Sequence, residues 1–297
     1  MGLLKLASNY KKNSYKKRNI LKMFMFMLVI IIVLGIIAIV YMAVNNNVSY
    51  SNVDSSAKTV SDDEAQKSTP IIMNNVLLGG IYNQKFVSVD KYYFNSSNKI
   101  DTKLNLYSNE GVIGEYELDS INKQNNSSTV YVTTSKENLI TEYIGVSNEV
   151  KLAPKKLVEV SSKESDIEYV KRSLGLYKIL NSSVNISKVY ETSINGTENV
   201  RILCVTNIPG ESLGAYSAVV VVDEYKNEAK CIRYNYVRNV KESQDFGILA
   251  VKFVCDLNQD GINEIILQET KEFETSYIVM TYNNKKYYEV LSSSFKI

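Results

Sequence analysis

The longest apolar run lies near the N-terminus, where residues Met23 to Val44 include no charged side chain. As a helix this run would span roughly 33 Å, enough for a hydrocarbon core of about 30 Å. Seven Lys and Arg and no acid precede it, which places the N-terminus in the cytoplasm by the positive-inside tendency. The pattern predicts a cytoplasmic basic tail over residues 1–22, a single-pass transmembrane helix over residues 23–44, and an extracytoplasmic C-terminal part. Tyr41 stands where a cleavable signal peptide would need a small residue, which favours a permanent anchor in the cell membrane.

The next segment, residues 45–70, is polar, rich in small residues and without an apolar period. Such a composition cannot bury enough apolar surface to offset the entropy of ordering the chain. It predicts a disordered stalk between the membrane and the folded part.

Short runs with β propensity follow the stalk, separated by clusters of Asn, Ser and Gly that favour turns. They predict a β-rich subdomain over residues 71–150. The Gly79-Gly80 pair is interpreted as a tight turn between two strands. The predicted strands are Ile71 to Leu78, Lys85 to Val89, Val112 to Leu118, Thr129 to Thr133 and Leu139 to Ile144.

One segment of the remaining part, residues 151–297, has a helical period. Ser165 and Glu168 have the spacing of a capping box, and apolar residues from Ile167 to Tyr177 then recur every three to four positions. This predicts an amphipathic helix that ends near Asn181 and covers one face of a sheet.

Four hairpin-like units follow the helix, and Asn195-Gly196 is the clearest turn signal among them because both residues tolerate a positive φ. Ala218 to Val222 shows no alternation, so this strand is expected to be buried on both faces. The predicted fold class is therefore α+β and β-rich: one N-terminal transmembrane helix, then antiparallel sheets with one amphipathic helix. The hairpins are Val189 to Thr206, Ser217 to Val237, Leu249 to Glu269 and Ser276 to Leu291.

The composition excludes several chemistries, since the chain has no His and no Trp. Ser-His-Asp triads, Cys-His nucleophiles and His-ligated zinc or haem are ruled out. The seven cations before residue 23 exceed the net charge of +2 of the whole chain, so the remainder of the chain is slightly acidic. It therefore lacks the excess of basic residues that is typical of nucleic-acid-binding proteins. Cys204, Cys231 and Cys255 are interpreted as apolar core residues, with a Cys204–Cys231 disulfide as an alternative.

The third hairpin contains the segment Asp256 to Glu264, whose sequence is DLNQDGINE. Oxygen-bearing side chains stand at positions 1, 3, 5 and 9, and Gly261 at position 6 allows a sharp turn. Such spacing is typical of loops that wrap a hard cation such as Ca²⁺. An EF-hand would need Glu at position 12, where Leu267 stands, and a helix on each side, so that family does not fit.

The segment resembles the calcium loop of FG-GAP and VCBS-type (integrin-like) modules, in which an apolar strand, D-x-[DN]-x-D-G-x-x-[DE] and a second apolar strand follow one another. The resemblance covers Phe246 to Tyr288, in one copy, and Gln268-Glu269-Thr270 replaces the Gly-Ala-Pro element of the family. It implies a structural Ca²⁺ held weakly, with a Kd of about 10⁻⁴ to 10⁻³ M. The implied ligands are the side chains of Asp256, Asn258, Asp260 and Glu264 and the backbone carbonyl of Ile262. The alternative is a polar turn without a cation.

The pattern as a whole predicts a non-enzymatic membrane-anchored binding or scaffold protein of a Gram-positive type of cell surface. Its expected partners are membrane lipid through the anchor and a cell-wall glycan or protein, but no nucleic acid. One alternative is a cell-wall polymer hydrolase that uses carboxylates, with the pairs Asp223 and Glu224 or Glu272 and Glu274 as candidates. Another is an accessory subunit of a membrane complex.

Overall fold

The computed structural model describes residues 60–94, 102–123, 129–134, 142–175, 184–207, 215–237 and 246–296. The predicted cytoplasmic tail (1–22), the predicted transmembrane helix (23–44) and most of the predicted stalk (45–70) lie outside these ranges. Among the described residues, no helix is long and apolar enough to cross a membrane.

The described chain folds into three antiparallel sheets and three short helices. Sheet A comprises β1 (Thr69–Met73), β2 (Val76–Tyr82), β3 (Lys85–Ser88), β4 (Lys103–Ser108), β5 (Gly111–Lys123), β6 (Val130–Thr134) and β7 (Ile144–Ser147). Sheet B comprises β8 (Val158–Glu159), β9 (Ile186–Ile194), β10 (Thr197–Asn207), β11 (Ala215–Asp223) and β12 (Glu228–Val237). Sheet C comprises β13 (Ile248–Cys255), β14 (Glu264–Thr270), β15 (Glu274–Asn283) and β16 (Lys286–Lys296). The helices are α1 (Asp62–Gln66), α2 (Val89–Phe94) and α3 (Glu164–Gly175).

The strand order differs between the sheets. Sheet A has the order β1-β7-β4-β5-β6-β2-β3, and it closes on itself because β1 also pairs with β2. Sheets B and C are simple meanders, in which each strand pairs with its neighbour in the sequence. All strand pairs are antiparallel.

Sheet C lies between the other two sheets. Its side chains alternate, so that Phe253 and Ile266 pack with residues of sheet A, whereas Ile265 and Leu267 pack with residues of sheet B. Helix α3 covers the far face of sheet B through Val170 and its neighbours. The order of layers is therefore sheet A, sheet C, sheet B and helix α3.

The predicted fold class, α+β, is wrong for the residues that the structure describes. The described residues form a β architecture with three short helices, and none of these helices could cross a membrane. Helices α1 and α2 were missed because a helix of five or six residues is too short to show an apolar period. Helix α1 also lies inside the predicted stalk, where Ser61 and Glu64 form a capping box.

The Gly79-Gly80 pair lies inside strand β2 and is not a turn. A Cβ at Gly79 would come within 2.3 Å of the Val87 carbonyl oxygen, and one at Gly80 within 2.6 Å of the Tyr92 ring. Glycine is required at both positions because strand β3 and helix α2 pack closely against them, and not because the chain reverses direction here. The turn is made by Asn74 and Asn75, both at positive φ, and it divides the predicted strand Ile71 to Leu78 in two.

The four predicted hairpins are confirmed by the pairing of β9 with β10, β11 with β12, β13 with β14 and β15 with β16. All three cysteines are free thiols. Cys204 packs between sheets B and C, whereas Cys231 faces helix α3 on the other side of sheet B. The alternative of a Cys204–Cys231 disulfide is therefore wrong.

Helix α3 is fixed to sheet B by a buried ion pair that the apolar pattern did not reveal. The Arg201 guanidinium donates from Nε and Nη2 to the two carboxylate oxygens of Asp166, over 3.1 and 2.6 Å. The side chains of Arg201 and Asp166 are 1% and 0% exposed. Arg201 also donates to Glu191 and to the Ser161 carbonyl oxygen. The predicted cap at Ser165 is displaced, since Asp166 instead accepts from the Lys163 amide at the helix start.

Arg201→Met is expected to lower the free energy of unfolding by about 3–5 kcal/mol, because it leaves the Asp166 carboxylate buried and unpaired. The double variant Arg201→Met/Asp166→Leu should recover most of this loss, since it removes both charges. Lys188→Met is the control: it breaks an exposed pair with Glu159 and should cost less than about 1 kcal/mol. Urea denaturation of the four proteins measures these differences, and a double variant as unstable as Arg201→Met would contradict the argument.

Candidate cation site

The candidate site is the loop between β13 and β14, residues 256–263. Gln259 and Gly261 have φ angles of 59° and 87°, so the backbone turns sharply twice within three residues. Glycine adopts such an angle without strain, which explains why the sharp turn falls at Gly261. The two flanking strands are held in register by pairs from Ile248 with Thr270 to Cys255 with Glu264.

Side-chain oxygens of three predicted ligands are turned toward the loop backbone. The Asp256 carboxylate accepts from the Asp260 amide over 3.1 Å and from the Gly261 amide over 2.9 Å. Asn258 Oδ1 accepts from the Asp260 amide, and Asp260 Oδ1 accepts from the Ile262 amide over 2.8 Å. Asn258 Nδ2 also donates to Asp260 Oδ2 over 3.1 Å. These hydrogen bonds hold the side chains of Asp256, Asn258 and Asp260 close together on the inner side of the loop.

Glu264 lies beneath this turn and is completely buried. Its Oε2 accepts from the Leu257 amide and its Oε1 from the Thr281 hydroxyl, both over 2.8 Å. Burial raises the pKa of Glu264 to about 8, and the charges of Asp256 and Asp260 add to the rise against these two hydrogen bonds. Within the described ranges, no Lys or Arg forms an ion pair with any of these three acids.

The outer side of the loop contacts the other two sheets. Asn258 Nδ2 donates to the Gln84 carbonyl oxygen and Gln84 Nε2 donates to the Gln259 carbonyl oxygen, both over 2.8 Å. Gln84 belongs to the β2–β3 turn of sheet A. At the other end of the loop the Asn263 amide donates over 2.6 Å to Oδ1 of Asn195, in the β9–β10 turn of sheet B. Turns of all three sheets therefore meet at this loop.

The predicted ligands can be tested against this arrangement. Asp256, Asn258 and Asp260 are brought together and carry the oxygen donors that Ca²⁺ prefers. Each carboxylate oxygen has a second lone pair beyond the amide that it binds. Glu264 directs both oxygens to protein donors, and the Ile262 carbonyl remains a predicted ligand. Among the described residues, no three His, Cys, Asp or Glu side chains converge as metal ligands, so a cation here would depend on Asn258 and on backbone or water oxygens as well.

The carboxylate pairs of the hydrolase alternative are placed differently. Asp223 binds the Lys226 ammonium over 2.8 Å, and despite the opposing effect of burial the hydrogen bonds from Lys226 lower the pKa of Asp223. Glu224 forms an ion pair with Lys163 over 3.1 Å. A general acid needs a raised pKa, so Asp223 is unsuited to that role.

Sequence reasoning missed four residues that complete the site: Gln84, Asn195, Leu257 and Thr281. Asn195 was recognised as a turn residue, but a turn signal is local and cannot report a partner 68 positions away. Thr281 faces Glu264 from β15 because the register of sheet C places it there.

Comparison of the chain with protein-family models, with curated proteins and with solved structures found no match. The resemblance to FG-GAP and VCBS-type modules thus remains an interpretation of the loop sequence.

Asn195→Gly tests the contact between the loop and sheet B. Glycine tolerates the φ of 50° at this position, so the variant removes the side chain without straining the turn. It leaves the Asn263 amide without its acceptor, and the free energy of unfolding should fall by about 1–3 kcal/mol.

Two controls accompany this variant in a denaturation series. Asn195→Asp keeps an acceptor oxygen and should retain most of the stability. Asn284→Gly makes the same substitution at a φ of 49° in an exposed turn, and it measures the cost of the glycine itself. Equal losses for the two glycine variants would show that the Asn195 contact contributes nothing.

Glu264 should give the metal-free protein a distinct pH dependence. The carboxyl has a pKa of about 8 in the fold against an ordinary 4.5, so the folded state binds more protons between these values. The contribution of Glu264 to the free energy of unfolding is therefore complete below pH 4.5 and is lost as the pH rises toward about 8. Denaturation in EGTA across this window should show that loss in the native sequence and a flatter profile for Glu264→Gln. Parallel profiles for the two proteins would contradict the assignment.

Proposed function

We propose that this chain is a non-enzymatic binding or scaffold module that acts outside the cytoplasm, and that Ca²⁺ held by the loop after β13 stabilises the junction of its three sheets. The observation that carries the proposal is the double set of contacts made by the loop. Its inner side gathers the oxygens of Asp256, Asn258 and Asp260, and its outer side bonds to turns of sheets A and B.

Electrostatics support a cation at this position. A bound Ca²⁺ would supply the positive charge that Asp256, Asp260 and Glu264 lack among their described neighbours. Without it, the charges of Asp260 and Asp256 add to the rise that burial causes in the pKa of Glu264. The residues that would hold the ion are Asp256, Asn258 and Asp260, with Glu264 and the Ile262 carbonyl as further predicted ligands.

The consequence for function is mechanical. Gln84 and Asn195 each tie the loop to a different sheet, so a loop that is ordered by a cation would hold both turns in place. This is the role expected of a surface protein that presents a rigid face to a cell-wall glycan or protein. The location outside the cytoplasm rests on the cations that precede residue 23.

The test is thermal and chemical unfolding of the full chain with Ca²⁺ titrated against EGTA. For a Kd of about 10⁻⁴ to 10⁻³ M, ~10 mM Ca²⁺ should stabilise the fold by about 1.4 to 2.7 kcal/mol. The variant Asp256→Asn/Asp260→Asn should lose this response. Its matched control, Glu110→Gln/Glu272→Gln, removes two acids from exposed turns and should keep it.

Two outcomes would contradict the proposal. One is an unfolding free energy that Ca²⁺ leaves unchanged in the native sequence. The other is an equal response in the loop variant and in its control, which would mean that Ca²⁺ acts on surface charge in general.

A further inference from the structure

A cleft lies between sheet B and the β15–β16 hairpin of sheet C, with a volume of about 180 Å³. One wall is aromatic. Tyr282 and Tyr287 are direct partners across the hairpin, with ring centroids 4.8 Å apart and ring planes inclined at 51°. Both side chains are half-buried, so the rings contribute to the core and also line the cleft.

The floor of the cleft is apolar. Ile194, Val200 and Val221 line it, and each is at least nine-tenths buried. These residues belong to the face of sheet B that packs against sheet C. A ligand in the cleft would therefore contact an apolar surface on two sides.

The rim carries charge of both signs in equal number. Lys226 Nζ lies 2.8 Å from Asp223 and Lys230 Nζ lies 3.2 Å from Glu228. Lys230 also donates to the Tyr282 hydroxyl over 3.0 Å and lies over that ring, 5.0 Å from its centroid. Every rim charge thus has a partner, and a charged ligand would have to displace one partner of an ion pair.

These features distinguish between ligand classes. Because every charge at the rim is already in an ion pair, the cleft favours a neutral molecule over an ion. The ammonium, carboxylate and hydroxyl groups of the rim offer both hydrogen-bond donors and acceptors to such a molecule. Aromatic rings above an apolar floor favour a molecule with an apolar face. A sugar ring combines these properties, since it has hydroxyls at its edge and C–H groups on its face. We propose that this cleft is a binding subsite for one neutral sugar unit of a glycan.

This inference rests on the proposed binding function, but it does not depend on Ca²⁺. The two are connected structurally, because Asn195 lines the cleft and also accepts the amide of Asn263 at the end of the loop. The experiment must therefore separate the sugar subsite from the cation loop.

The test is a titration of the full chain with maltotriose, cellotriose and chitotriose, followed by ligand-observed NMR in Ca²⁺ and in EGTA. We expect saturable binding of at least one trimer. Tyr282→Ala should weaken it at least tenfold, because the aromatic wall is lost. Lys230→Met keeps both rings and removes a rim donor, and it should weaken binding at least threefold. Tyr236→Ala removes a half-exposed Tyr at the other end of sheet B and should leave the affinity within twofold.

The outcomes are decisive in each direction. Absence of binding by all three trimers overturns the proposal, and so does binding that both cleft variants retain. Stronger binding of a charged trimer such as trigalacturonate, lost at high salt, overturns the assignment to a neutral sugar. Sugar binding that persists in a chain whose stability ignores Ca²⁺ would refute the cation loop and leave the subsite standing. A Ca²⁺ response without sugar binding would do the reverse.

Discussion

The rest of the structure depends on the burial of sheet C on both faces. Ile266 faces sheet A, whereas Ile265 and Leu267, its neighbours on either side, face sheet B. Each such side chain contributes about 1.5–3 kcal/mol when it is removed from water, so neither neighbouring sheet can separate without exposing one face of sheet C. This explains why Ile265, Ile266 and Leu267, three consecutive apolar residues of β14, are all buried. It also explains why each of the two hydrophobic clusters around sheet C combines residues that are far apart in the sequence.

The central position of sheet C determines what its loops can reach. A loop at the end of a middle layer lies beside the turns of both outer layers, and residues 256–263 use this position to bond Gln84 on one side and Asn195 on the other. The same layering buries Glu264 at the start of β14. A buried carboxylate is costly unless it is hydrogen-bonded or paired, and here the Leu257 amide and the Thr281 hydroxyl provide part of the compensation.

Features encoded locally could be predicted from the sequence, and features that arise from packing could not. The hairpin at Asn195-Gly196 follows from two adjacent residues that tolerate a positive φ, and the proximity of Asp256, Asn258 and Asp260 follows from their spacing. The order of strands in sheet A depends on pairs such as β1 with β7, which join distant segments. The Asp166–Arg201 pair spans 35 positions, and a polar residue on a helix gives no sign that its partner is buried with it.

The β9–β10 turn links the loop to the cleft between sheets B and C. Asn195 binds Asn263 at the end of the loop and also lines the cleft, so one side chain is common to both surroundings. If order in the loop changes the orientation of Asn195, it changes a polar group that a ligand in the cleft would meet. Thermodynamic linkage then requires that a ligand in the cleft changes the affinity of the loop for Ca²⁺ by the same factor by which Ca²⁺ changes the affinity of the cleft for that ligand. A single hydrogen bond of about 1 kcal/mol limits this factor to roughly five, which is enough to modulate binding but not to switch it.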